Sequence, residues 1–278
     1  MKKSIKILSL AVAAAAVVSV ALTSCKSSTS SGGSLTLTPG KLVVGVDDTY
    51  PPMEYKDGNT GKDVGFDVDF ANEIGKKLNL KVEFQSSAWD GIFTSLNSKK
   101  FDCIISAISI TEDRKTSFAM TKPYLANAQV IVVKKGNTSI KSQSDLNGKN
   151  VGCQVNSTAN DSATKLVSKG IKMNVSTYDQ EIQCFQAIQA NKVDAVLIDE
   201  VAAEYYIKQN PNDYQTTDVK LTNEPVGACF RKSDTKLRDK VQGAIDDLTK
   251  QGEVKKLSEK WFGVDLSSNI DTKLKILD

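Results

Sequence analysis

Residues 193–199 of the chain read Val-Asp-Ala-Val-Leu-Ile-Asp. This short and mainly apolar run lies between two helical patterns, at 180–190 and from 201 through Tyr206, so it is typical of a buried strand in a mainly parallel sheet. Its last residue, Asp199, falls at the carboxyl end of the strand, the edge where α/β sheets present ligand-binding groups. Asp199 is therefore a candidate site residue, and a second role as helix N-cap is compatible with the first.

The same alternation of strands and helices extends over most of the chain and predicts an α/β protein with two lobes, the first interrupted by the second. We expect Asp67 and Thr111 to cap their helices. Predicted strands lie at 42–46, 81–84, 102–108, 130–133, 151–155, 173–178, 193–198 and 226–230. Predicted helices lie at 67–78, 90–96, 111–117, 157–168, 180–190, 237–250 and 254–261.

Composition excludes several kinds of chemistry. The 278 residues contain no histidine, so Ser-His-Asp and Cys-His nucleophiles and histidine metal sites are ruled out. The sequence has no Walker loop, no Gly-x-Gly-x-x-Gly after a strand and no Cys-x-x-Cys pair, so we expect neither a cofactor nor a bound metal. Lysines are evenly spread, which gives no support to nucleic acid as a partner.

Residues 1–25 are typical of a lipoprotein signal peptide. Lys2, Lys3 and Lys6 precede an apolar run too short to span a bilayer. The segment ends in Leu22-Thr-Ser-Cys25, a bacterial lipobox pattern, so we expect Cys25 to carry a lipid and to anchor the protein on the extracytoplasmic face of the cell membrane. An ordinary signal peptide with a chance cysteine is the alternative. Residues 26–40 then form a flexible tether.

Removing the signal segment changes two counts. Of the 36 Lys and Arg residues, three lie in that segment, which leaves 33 against 33 Asp and Glu. Cys103, Cys153, Cys184 and Cys229 remain after Cys25. All four fall in apolar patterns, where cysteine usually acts as a small buried hydrophobe, and the sequence leaves open whether they pair.

A set of short motifs, in order between Leu42 and Gly263, resembles the extracytoplasmic solute-binding proteins of polar amino-acid ABC transporters (solute-binding protein family 3). Each motif alone is a weak signal, and their shared order behind a lipobox is strong. The motifs are Gly45-Val-Asp47, Tyr50-Pro-Pro-Met-Glu-Tyr55, Gly65-Phe-Asp-Val-Asp-Phe-Ala71, Trp89-Asp-Gly-Ile92, Ser109-Ile-Thr-Glu-Asp-Arg114, Pro123-Tyr124, Val193–Asp199 and Lys260-Trp-Phe-Gly263.

The resemblance implies a two-lobed periplasmic-binding-protein-like fold of type II, with a hinge between the lobes and a cleft that closes on an amino acid. Residues 41–128 with 227–264 would form lobe 1, residues 129–226 lobe 2, and residues 265–278 a C-terminal tail. It further implies a monomer that delivers its ligand to the membrane permease subunits of an ABC importer.

A free amino acid carries a carboxylate and an ammonium, and burying either without a partner is unfavourable. By the resemblance, Arg114 receives the carboxylate, with help from Ser109 and a main-chain N–H near Ala107, and Asp199 receives the ammonium. The planar fork of arginine suits two parallel bonds to a carboxylate. Without the motif, an arginine on a solvated helix face would be the more ordinary interpretation of Arg114.

The remaining candidates surround that pair. Asn156-Ser157-Thr158 stands where the family has a Gly-Ser/Thr-Thr turn at a helix N-terminus, which favours a carboxylate. Asparagine tolerates positive φ, so Asn156 can replace the glycine. Tyr50 and Trp89 would pack on the ligand side chain, although Trp89 could equally belong to the core. Asp47, Asp48 and Gln154 would reach the distal end of the ligand. This acidic pair beside an aromatic pair favours arginine, lysine or a similar side chain, so we expect a polar or cationic amino acid.

Two other functions remain open at this stage. A few relatives on this fold dehydrate cyclic amino-acid precursors, and such an enzyme would need a general acid, for which Glu54, Asp47 and Asp48 are candidates. A sensor lipoprotein would use the same cleft without a permease. A tether and lipobox suit capture better than catalysis, so we expect a binding protein and no enzyme.

Overall fold

A computed structural model describes residues 34–273 and 275–276. The predicted signal segment with Cys25, and residues 26–33 of the predicted tether, lie outside the described residues. No helix within the described part of the chain is long and apolar enough to cross a membrane. The described end of the tether is packed on the domain: Thr36 is buried, and the Leu37 N–H donates to Asp102 Oδ1 at 2.7 Å.

The chain forms sixteen strands and eight helices within the described residues. The strands are β1 Lys41–Val46, β2 Thr49–Tyr50, β3 Glu54–Lys56, β4 Asp63–Val64, β5 Lys81–Ser86, β6 Cys103–Ile104, β7 Phe118–Met120, β8 Leu125–Asn127, β9 Gln129–Lys134, β10 Asn150–Gln154, β11 Asn174–Tyr178, β12 Ala195–Asp199, β13 Tyr214–Lys220, β14 Thr222–Val226, β15 Cys229–Arg231 and β16 Lys275–Ile276. The helices are α1 Phe66–Leu78, α2 Ile92–Asn97, α3 Glu112–Ser117, α4 Thr158–Ser168, α5 Glu181–Gln189, α6 Glu200–Gln209, α7 Thr235–Lys250 and α8 Glu253–Phe262.

Each lobe is built on one five-stranded sheet. The first has the order β5-β1-β6-β15-β7 and the second the order β11-β10-β12-β9-β13. In both, the first strands are parallel, as expected for strands joined by helical crossovers, whereas β15 and β9 run antiparallel to their neighbours. All five residues of β12 are buried, which confirms the strand predicted over 193–198. The α/β architecture with two lobes is therefore as predicted.

Two neighbouring strands carry the chain between the lobes. The outgoing strand β8 follows the first sheet, and the returning strand β14 leaves the second sheet. They pair antiparallel, with Val226 opposite Leu125. Because β14 also forms a bridge from Val226 to Ser109, the crossover is tied directly to a predicted site residue. β14 pairs on its other side with β16 from the C-terminal tail.

Two local predictions are wrong, and one interaction explains both. Helix α1 begins at Phe66 with Gly65 as its N-cap and no side-chain cap, and the predicted strand over 102–108 is only β6. Asp67 is fully buried. It accepts from the Ala107 N–H at 2.7 Å and from the Tyr124 hydroxyl at 2.8 Å. The carboxylate is therefore used to hold residue 107 in a turn, with φ at 47°, instead of capping its own helix.

The four cysteines that follow the signal segment are all buried and free. Cys103 and Cys229 lie on neighbouring strands of the first lobe, and Cys153 and Cys184 lie in the second. Burial raises the pKa of the Cys153 thiol to about 12. These cysteines therefore act as small apolar core residues.

Gly65 offers a test of the turn that precedes α1. Its φ is 138°, and a Cβ there would lie 2.1 Å from the Met53 carbonyl oxygen. We expect Gly65→Ala to lower the free energy of unfolding by at least about 2 kcal/mol, measured by urea denaturation, because both the backbone and the contact are unfavourable.

Gly243 provides the control. It lies exposed in α7, and no atom lies within 4 Å of the position that an added methyl group would take. Gly243→Ala should raise the stability by about 0.5–1 kcal/mol through helix propensity. Equal urea midpoints for the two variants would contradict the strain assigned to Gly65.

Candidate functional site

A narrow cavity of about 20 Å³ lies between the two sheets. Nine of the ten predicted binding residues line it, and the tenth, Asp47, contacts it through Gln154, whose Nε2 lies 3.3 Å from Asp47 Oδ2. The lining residues are Tyr50, Glu54, Trp89, Ser106, Ala107, Ser109, Arg114, Gln129, Gln154, Ser157, Thr158, Ala159, Glu181 and Asp199.

Arg114 is presented by the short helix α3 of the first lobe. Thr111 caps this helix as predicted, since its Oγ1 accepts from the Arg114 N–H at 3.1 Å. The guanidinium donates to the Ser109 carbonyl at 2.9 Å and lies 5.5 Å from the ring centroid of Trp89. Burial lowers the pKa of Arg114, but a guanidinium keeps its charge in proteins. It therefore offers further N–H donors to an anion in the cavity.

Asp199 enters the cavity from the second lobe, at the end of β12. It accepts from the Tyr50 hydroxyl at 2.5 Å and from Gln129 Nε2. Helix α6 follows directly, but the Asp199 side chain does not cap it, because these two bonds hold the carboxylate on the cavity side. Burial, and next the charge of Glu224, raise the pKa of Asp199 to about 7. An ammonium placed beside it would restore the charged form.

The N-terminus of α4 forms another part of the second-lobe wall. Asn156 has a φ of 54°, which confirms that asparagine takes the left-handed position of the turn. Ser157 caps the helix by accepting from the Asn160 N–H at 3.2 Å. The first N–H groups, those of Thr158 and Ala159, have no acceptor within the helix. Both residues line the cavity, so this end of α4 is suited to an anion.

Two predicted carboxylate donors point elsewhere. The Ala107 N–H is used by Asp67, and the Ser109 hydroxyl donates to Glu224 Oε2 at 2.6 Å. Both residues line the cavity, but neither has its donor free for a ligand carboxylate. Because the Ser109 proton points to Glu224, the Ser109 oxygen presents acceptor lone pairs to the cavity. It is therefore suited to an ammonium.

Sequence reasoning missed Ser106, Gln129, Ala159 and Glu181 as lining residues, and named Glu54 only as a possible acid. Gln129 and Glu181 each stand at the first position of an element, β9 and α5. Such terminal positions have no recognisable motif. The one feature of the sequence that could have indicated Gln129 and Glu181 was a polar side chain next to an apolar run.

Direct bonds join the lobes across the cleft. The Trp89 indole donates to the Asn156 carbonyl at 3.2 Å, and the Asn156 amide donates to Asp90. Tyr50 and Asp199 form a third contact between the lobes. The structure is therefore a closed arrangement.

A family model described as bacterial extracellular solute-binding proteins, family 3, matches residues 42–264. The chain is 34% identical over 229 residues to the L-cystine-binding protein TcyJ of Escherichia coli, covering 82% of this chain and 85% of that one. It is 33% identical over 250 residues to the arginine-binding extracellular protein ArtP of Bacillus subtilis, covering 89% and 95%.

A solved structure of an ancestral arginine-binding protein bound to glutamine is also similar. It matches with a TM-score of 0.76 and 43% identity, over 81% of this chain and 99% of that chain. The names of these similar proteins thus cover cystine, arginine and glutamine.

The raised pKa of Asp199 predicts a pH dependence of stability. The unfolded chain loses this proton near pH 4, whereas the folded protein keeps it until about pH 7. Over that window the unfolded state gains more from deprotonation, so this group lowers the free energy of unfolding as pH rises. We expect ligand-free protein to be less stable in urea at pH 7.5 than at pH 5. In Asp199→Asn this decline should be smaller by roughly 1–3 kcal/mol.

The matched control is Glu204→Gln, which removes an exposed carboxylate of α6. Its decline from pH 5 to pH 7.5 should equal that of the unchanged protein. The same decline in Asp199→Asn would contradict the buried, proton-retaining state of this carboxyl group.

Proposed function

Because the chain belongs to the bacterial extracellular solute-binding proteins, family 3, we propose that it captures a polar amino acid between Arg114 and Asp199. The class is that of the substrate-binding component of an amino-acid ABC importer, outside the cytoplasm, and not that of an enzyme. The observation that carries the proposed site is that one cavity receives a guanidinium from one lobe and a carboxylate from the other.

In this proposal the ligand carboxylate lies against Arg114 and the first N–H groups of α4. The ammonium lies against Asp199 and the Ser109 oxygen. Tyr50 and Trp89 line the space for the ligand side chain. Each charge of the amino acid then meets an opposite charge, which is the requirement for burying a zwitterion.

The same arrangement supports capture by closure. Arg114 belongs to the first lobe and Asp199 to the second, so an amino acid contacts both only when the lobes are together. A ligand that binds the closed state better shifts the population toward it. The permease subunits would then receive the closed form. Since one chain supplies both charged groups, we infer that the protein acts as a monomer.

Isothermal titration calorimetry against a panel of amino acids tests the proposed site. Arg114→Ala should weaken binding of whichever amino acid binds by roughly 30-fold or more, because it leaves a buried carboxylate without a partner. The fold, followed by circular dichroism, should be unchanged.

Arg238→Ala is the matched control, because Arg238 is an arginine of α7 that does not line the cavity. Its affinity should match that of the unchanged protein. Absence of binding by every amino acid in the panel would overturn the proposed function, and full affinity in Arg114→Ala would overturn the role of Arg114.

We further propose that Cys25 carries a lipid that holds the protein on the outer face of the cell membrane. The support is the Leu22-Thr-Ser-Cys25 sequence behind a basic and apolar leader.

In cells of a bacterial host that expresses the full chain, Cys25→Ala should move the protein from the membrane fraction to the soluble extracytoplasmic fraction. Mass spectrometry of the N-terminal peptide should show the acyl mass only when Cys25 is present. Cys103→Ala, which removes a buried thiol, should remain with the membrane. Membrane retention of Cys25→Ala would contradict the anchor.

A further inference from the structure

We propose that Glu181 forms a distal subsite for a second cationic group, so that the ligand is a dibasic amino acid such as arginine or lysine. This inference rests on the proposed function and narrows its substrate class. It concerns Glu181, a carboxyl group of the cavity wall other than Asp199.

The first observation is an unpartnered acceptor. Glu181 is 3% exposed and lines the cavity from the first turn of α5. Within the described residues its Oε2 atom has no hydrogen-bond partner, and neither does Oε1 of Gln129, which also lines the cavity. A buried acceptor left without a donor is unfavourable, and more so when it is charged. The cavity therefore requires a ligand rich in N–H donors.

The second observation is the set of groups around Glu181. None of the neighbours with which it interacts electrostatically in the described structure is a cation. They are Asp199, Asp47, Tyr50, Tyr206, Cys153 and Cys184. A buried carboxylate normally has a cationic partner. Since the chain supplies none here, a cationic group of the ligand is the missing partner.

The third observation is the order of charges along the cavity. Arg114 interacts with Glu224, Asp161 and Asp199, whereas Glu181 interacts with Asp199 and Asp47. Asp199 is the group that Arg114 and Glu181 share, and within the described residues neither of these two is among the main groups that act on the other. An amino acid with its carboxylate on Arg114 and its α-ammonium on Asp199 thus extends its side chain toward Glu181.

The charge balance separates dibasic ligands from the other ligands named among similar proteins. Of the described residues that line the cavity, Arg114 is the one cation, facing the carboxyl groups of Glu54, Glu181 and Asp199. Cystine has a second carboxylate, which would find no second cation. The side chain of glutamine is neutral, so it offers Glu181 no opposite charge. A guanidinium or ammonium at the distal end of the ligand supplies a positive charge to a part of the cavity whose charged residues are carboxyl groups.

Protonation supports the same assignment. Burial, and next the charge of Asp199, raise the pKa of Glu181 well above its ordinary value, so the empty site holds a proton there. A ligand cation favours the charged form and displaces that proton. Binding of a dibasic amino acid should therefore release protons and should strengthen as the pH rises.

The test is calorimetry of ligand-free protein with arginine, lysine, glutamine and cystine, in two buffers of different ionisation enthalpy. We expect arginine or lysine to bind at least about tenfold more tightly than glutamine and cystine. The proton release, obtained from the difference in apparent enthalpy between the buffers, should be larger for arginine or lysine than for glutamine, because Asp199 can release a proton with any amino acid whereas Glu181 does so only with a dibasic one.

Glu181→Gln keeps the size of the side chain and removes the charge. This substitution should weaken the binding of arginine or lysine by roughly tenfold or more. The affinity for glutamine should stay within about threefold of that of the unchanged protein. Taking the ratio of two ligands in the same variant cancels any general loss of folding. Glu204→Gln, the exposed control, should leave that ratio unchanged.

Each outcome decides between the two proposals. Tighter binding of glutamine or cystine than of arginine and lysine would overturn the distal subsite while amino-acid capture stands. An unchanged ligand ratio in Glu181→Gln, or proton release with the dibasic ligands no larger than with glutamine, would also overturn it. No binding by any of the four would count against the proposed function and the subsite together, and loss of binding in Arg114→Ala alone would leave both in place.

Discussion

The buried carboxylate of Glu224 connects the crossover strands to both lobes. It lies on β14 and is 1% exposed. Its oxygens accept from Ser109 Oγ of the first lobe at 2.6 Å and from Thr158 Oγ1 of the second at 2.8 Å. Thr222 Oγ1, on the same strand, donates at 2.9 Å. Hydroxyl protons from both lobes therefore converge on one acceptor beside the hinge. This orients the Ser109 and Thr158 oxygens toward the cavity as acceptors.

These hydrogen bonds to Glu224 determine whether each part of the cavity wall suits a ligand anion or a ligand cation. Because the Ser109 and Thr158 hydroxyl protons are directed to Glu224, the donors left for an anion are Arg114 and the backbone N–H groups at the start of α4. Acceptors then dominate the rest of the cavity, where Asp199, Glu181 and Gln129 are each nine-tenths or more buried. A site of this composition suits the proposed ligand, a zwitterion with excess positive charge at its far end, because buried acceptors without donors are unfavourable.

Local patterns predicted most of the elements and part of the site. The apolar run at 193–198, the caps at Thr111 and Ser157 and the left-handed Asn156 all follow from short-range rules on burial, capping and turn conformation. The pairing of Arg114 with Asp199 came instead from the resemblance to a family, which the motifs ending at these two residues carry. Asp67 shows where such rules fail: a short-range pattern assigned it to its own helix, whereas its carboxylate binds Ala107, forty residues away along the chain.

The sequence by itself determined the α/β class, the positions of the strands and helices, and the residue types that an amino acid requires, because these depend on neighbours within a few positions. Only the tertiary structure decided where protons and charges meet. Within the described residues it brought Glu181 into charge interaction with Asp199 and with no cation, and it directed the Ser109 hydroxyl to Glu224, 115 residues away. Hydrogen bonds and charge interactions act through space, and no local pattern records which distant groups the fold brings together.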